Sequence, residues 1–152
     1  MLALELDKTA VKGFMGKLLR EDLFDTFDVR TLEIAAATRI TIDGAVIEKA
    51  PEEAEEKKAS FTSWGALRPL VYEVIKLSSK PKHVKIVFSH RSPYDIHTNA
   101  AALFLNLVYE SDSVSFTTAT AQKEFALDKS LDSAWGEWVR GFFGSMPVRD
   151  RE

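Results

Sequence analysis

Leu2, Leu4 and Leu6 alternate with Ala3, Glu5 and Asp7 at the start of the chain. A period of two predicts a short, half-buried strand. Asp7 then fits the N-cap of a helix over 8–19, with Val11, Phe14, Met15, Leu18 and Leu19 on one face. Gly13 and Gly16 weaken that helix, each by about 1 kcal/mol relative to alanine, so packing must hold it. After a link at Phe24–Phe27, residues 29–42 are rich in isoleucine, valine and threonine and read as one long strand. Asp43-Gly44 separates this run from Ala45–Glu48, which predicts a hairpin with a type I′ turn.

The stretch 49–60 has almost no apolar residue larger than alanine and reads as an acidic, mobile loop between two halves of the chain. Beyond it, 60–78 has helical periodicity through Leu67, Leu70, Val71, Val74, Ile75 and Leu77, with Pro69 as a kink or a first-turn residue. Strands follow over 83–88, 103–109 and 114–120, with a fourth short one over 123–127. Leu131, Trp135, Trp138, Val139, Phe142 and Phe143 form the apolar face of a last helix, capped by Asp128 or Ser130. Residues 148–152 read as a frayed tail. The order is β-α-β-β, loop, α-β-β-β-β-α. It predicts a single α+β domain with a largely antiparallel sheet and helices on one face.

Several stretches resemble a family of small bacterial proteins of unknown function. They are Val11–Leu19, Phe24–Phe27, Thr41–Gly44, Ser63–Pro69, Lys85–Phe88, Phe104–Asn106 and Phe125–Leu131 with Trp135. These are turns, caps and apolar faces, so the resemblance implies a shared fold and offers no catalytic residue. The order of elements is also similar to one unit of a DNA sliding clamp. That likeness implies a DNA-clamp-like topology, and fold alone does not imply function.

Composition narrows the function classes. The chain has 152 residues, is 45% hydrophobic and 28% charged, and has a net charge of −3. The absence of cysteine removes disulfides, thiolate zinc sites and cysteine nucleophiles. The net charge disfavours coating of nucleic acid by charge alone. No apolar run approaches the roughly 20 residues a membrane helix needs, and the N-terminus lacks a signal-peptide pattern, so a cytoplasmic protein with no membrane contact is expected.

The densest polar constellation is Ser89–His97. His90, Asp95 and His97 are candidate ligands for a divalent transition metal, because two imidazoles and a carboxylate suit zinc, iron or manganese. The competing reading makes them strand and turn caps around Pro93-Tyr94-Asp95. Lys76, Lys80, Lys82, Lys85 and Arg91 form the one basic cluster, a candidate phosphate contact that a solvated helix end explains as well. Gly13-Phe-Met-Gly16 fits a helix better than a phosphate-clamping loop. There is no nucleophile elbow, phosphate loop or dinucleotide fingerprint. The sequence therefore favours a non-catalytic interaction protein with a protein partner or self-association. A metal-dependent hydrolase is the alternative.

Overall fold

A computed structural model describes residues 1–47, 60–78 and 80–151. The acidic stretch lies, but for Ser60, outside the described residues. The elements run β1 (Ala3–Leu6), a 3-10 turn (Lys8–Ala10), α1 (Val11–Arg20), β2 (Asp28–Ala35), β3 (Arg39–Asp43), α2 (Trp64–Leu77), β4 (His83–Ser89), a 3-10 turn (Pro93–Asp95), β5 (Ala100–Glu110), β6 (Ser113–Gln122), α3 (Ser130–Phe143) and β7 (Val148–Asp150). The seven strands form one sheet in the order β3-β2-β4-β5-β6-β1-β7. Every pairing is antiparallel.

Register decides which face is covered. Ile86 opposes Leu32 on one side and Leu107 on the other, and Leu107 opposes Phe116, which opposes Leu4. These residues share one pleat face, and all are buried. The three helices gather on that face. Phe14 of α1 and Phe143 of α3 meet Phe116 edge-on or tilted, and Trp64 of α2 meets Phe88 edge-on. The opposite face carries Glu5, Glu33, Lys85, Asn106 and Thr117, the polar side of the same alternation.

Local signals explain the boundaries. Asp7 accepts a hydrogen bond from the Thr9 amide, and Ser63 caps α2 through the Ala66 amide. Pro69 lies inside α2. Gly144 ends α3 with φ of 53°, a conformation that favours glycine. α1 covers Gly13 and Gly16, so the helical reading of that stretch holds.

Four readings change. The run 29–42 is two strands, not one, with residues 36–38 turning between β2 and β3. Asp43-Gly44 is not a hairpin turn. A Cβ on Gly44 would sit 1.8 Å from the Val29 carbonyl oxygen, so glycine is there to let two backbones touch. The two-residue turn with positive φ is instead Ser111-Asp112, at 53° and 59°, between the paired residues Glu110 and Ser113. The stretch 123–127 is not a strand, because side-chain amides satisfy its backbone in place of a ladder. Residues Val148–Asp150, read as part of a frayed tail, form β7 against β1, and Arg140 holds Asp150 through both carboxylate oxygens.

Candidate interaction surface

Two loops meet at one end of the sheet. The first joins β4 to β5 and runs from His90 to Asn99. The second joins β6 to α3 and spans Lys123–Lys129. Asn99 ties them together. Its Nδ2 donates to the Glu124 carbonyl at 2.9 Å, its Oδ1 accepts from the Glu124 amide at 2.9 Å, and its own carbonyl accepts from the Lys123 amide at 2.9 Å. Gln122 repeats the arrangement one step on. Its Nε2 donates to the Ala126 carbonyl and its Oε1 accepts from the Ala126 amide, both at 3.1 Å. A side-chain amide used at both ends replaces a strand partner and fixes the local backbone.

The fixed backbone turns apolar side chains outward. Phe125 and Leu127 are each 84% exposed, and Tyr94 on the neighbouring loop is 60% exposed. The Lys123 ammonium lies 4.5 Å from the Tyr94 ring centroid, which links the two loops again. Asp128 accepts from both the amide and the hydroxyl of Ser130 at the start of α3, and those bonds hold its carboxyl below the usual range.

The histidines of the first loop work as caps. His90 Nδ1 accepts from the Ser92 amide at 3.0 Å, and its ring packs edge-on to Trp138 at 4.9 Å and Trp135 at 5.9 Å. Burial there lowers its pKa, against the opposing pull of Asp95. His97 Nδ1 accepts from the Asn99 amide at 3.1 Å, and its Nε2 lies 3.1 Å from the Ser130 hydroxyl. Three of the four ring nitrogens thus already have partners, and Asp95 points to solvent. Among the described residues, no three or more histidine, aspartate or glutamate side chains come together in a way that could hold a metal ion. His83 sits at the far end of β4, near Glu110.

The basic residues occupy separate places. Lys80 pairs with Asp112 at 3.1 Å, and Arg91 with Asp28 at 3.4 Å. Lys76 lies over the Tyr72 ring on α2, and Lys85 stands on the polar face of the sheet. Lys82 follows α2 and is exposed, with its amide bonded to the Ala35 carbonyl.

Beside the loops, a β-bulge between Val29 and Thr31 displaces Arg30. Its Nε donates to the buried Ser89 hydroxyl at 3.1 Å, and its guanidinium lies 3.9 Å from the Phe61 centroid and 5.2 Å from that of Phe104. Burial lowers the Arg30 pKa and raises that of Asp28 despite the nearby Arg91. Sequence reasoning missed Asp28 and Arg30, since a bulge leaves no local motif. It also missed the exposure of Phe125 and Leu127, because their alternation matches that of a buried strand. The neighbouring polar pair Asn99 and Gln122 was the available signal.

No helix among the described residues is long and apolar enough to cross a membrane. No curated protein and no solved structure matches the chain, so the likeness to a sliding-clamp unit has no structural neighbour behind it. A family model described as a family of unknown function, DUF5721, matches residues 17–149, and the chain belongs to that family.

Proposed function

We propose that the chain is a non-catalytic interaction protein that takes a protein partner on the surface formed by Tyr94, Phe125 and Leu127. The observation that carries this reading is the 84% exposure of both Phe125 and Leu127 on a backbone pinned by Asn99 and Gln122. A floppy loop would lose conformational entropy on binding, whereas this one is ordered beforehand. Covering one such side chain contributes about 1.5–3 kcal/mol. Exposed apolar groups rimmed by polar ones mark contact sites. The rim holds Lys123 and Lys129 against Glu124 and Asp128. Its charges balance, which suits a protein surface of mixed charge better than a polyanion.

A photo-crosslinking amino acid placed at 125, and separately at 127, tests the reading in cells that make the protein natively. We expect covalent adducts to a protein, either a second copy or another chain, from both positions. An exposed position on α2, Glu73, should give none. No adduct at 125 or 127, or equal adducts at 73, refutes the surface.

A further inference from the structure

The stretch 8–20 carries Lys8, Lys12, Lys17 and Arg20 and no acidic residue, in a chain whose net charge is −3. Val11, Phe14 and Leu18 of α1 face the core, while Lys12, Lys17 and Arg20 face solvent. Along one flank of α1, between it and the turn after α3, lies a cleft of about 830 Å³. That volume falls in the range of ligand sites, roughly 300–1,000 Å³. Leu6, Phe14, Leu23 and Met146 give it apolar walls, and Lys17 and Arg20 line it as well. Among the described residues, neither cation has an ion-pair partner. A third cation, Arg68, is already held by Asp25 through two hydrogen bonds of 2.9 and 2.8 Å. Gly13 lines the cleft, and Gly16 lies next to Lys17 on the same helix. A Cβ at Gly13 would meet nothing within 4 Å, so the wall is open there. At Gly16 it would come within 3.2 Å of an Arg20 guanidinium nitrogen, so the missing side chain lets Arg20 lie along the helix.

We propose that this cleft binds a single-chain amphiphile with an anionic head. The tail packs on half-buried Leu23 and Met146, above a floor of buried Leu6 and Phe14, and the carboxylate or phosphate head meets Lys17 and Arg20. Apolar burial supplies the attraction, and charge-assisted hydrogen bonds choose the head. Glu21 and Asp22 also border the cleft and offer the rival choice, a cationic head. This site is separate from the Tyr94, Phe125 and Leu127 surface, so either assignment can fail alone.

Three probes with the same tail decide the matter: decanoate, decanol and decyltrimethylammonium, each below its micelle concentration. Calorimetry on the full chain should show decanoate binding about tenfold more tightly than decanol, and the cation least. Amide shifts should centre on Gly13, Leu23 and Met146. Lys17→Ala with Arg20→Ala should bring decanoate to the level of decanol. Gly13→Leu fills the opening with a better helix former, so it should weaken all three probes without unfolding the protein. Equal binding of the three heads, preference for the cation, an unaffected double variant or shifts mapping elsewhere would overturn the proposal. Binding to phosphatidylglycerol vesicles with no response to decanoate would overturn it too, in favour of a membrane surface.

Discussion

Two regions of this molecule hold aromatic and aliphatic side chains in opposite ways. Under the sheet, Phe24 is fully buried, stacks on Phe88 at 5.0 Å and meets Phe14, Phe27 and Phe142 edge-on or tilted. There the apolar contacts create the order. At the loop end, Phe125 and Leu127 have the same chemistry and stay in water, while Asn99 and Gln122 create the order through four side-chain hydrogen bonds. Folding needs the first group and gains little from the second. Polar interactions here hold apolar groups in solvent, which is the contrast the proposed interaction surface rests on.

The comparison breaks most visibly at Phe24. Phe24→Ala removes a ring from a site with no exposed edge, so the cavity and the lost contacts should cost about 3–5 kcal/mol in urea unfolding. A loss under about 1 kcal/mol would mean that the aromatic cluster relaxes into the space, and that packing there is looser than the ring geometry implies.

Asn99→Ala probes the other kind of order. It removes two hydrogen bonds between exposed groups, each contributing about 0.5–1.5 kcal/mol net. We expect a global loss of about 1 kcal/mol, together with markedly faster amide exchange at Glu124, whose amide donates to Asn99 Oδ1. Unchanged exchange would show that the loop is held by something other than its amides.

The same contrast sets what the sequence could convey. Apolar periodicity located the three helices and the central strands, because Val84–Phe88 of β4 and Leu103–Tyr109 of β5 alternate between a buried and a more exposed face. Turn chemistry was less legible. Asp43-Gly44 carries the stronger hairpin signature, yet the two-residue turn falls at Ser111-Asp112, where the Tyr109 hydroxyl and Lys80 fix the Asp112 carboxylate from outside the turn. Gly44 answers to the Val29 backbone, a partner fifteen residues away that no local pattern discloses. β7 was hidden for a related reason. Its short, charged sequence forms a strand because β1 leaves an edge open beside it. In the candidate site the residue types of His90 and His97 suggested metal, and their hydrogen bonds to Ser92, Asn99 and Ser130 could not be read from residue type alone. Specific partners, distant for Gly44 and β7 and as near as two residues for His90 and His97, decided these, not composition.

The smallest expected effect is the sharpest test of the comparison. Phe125→Ser with Leu127→Ser removes two large apolar side chains, a change that in the core would unfold a domain of ordinary stability. Here neither side chain is covered, and the bonds from Asn99 and Gln122 go to the backbone, which the substitutions leave in place. Unfolding stability should therefore stay within about 0.5 kcal/mol of the parent. Exchange at Glu124 should remain slow, in contrast to Asn99→Ala, and so should exchange at Ala126, which Gln122 holds. A loss above about 1 kcal/mol would show that Phe125 and Leu127 pack against the fold. They would then belong with Phe24 as parts of the core, and the reason to assign them a partner would disappear.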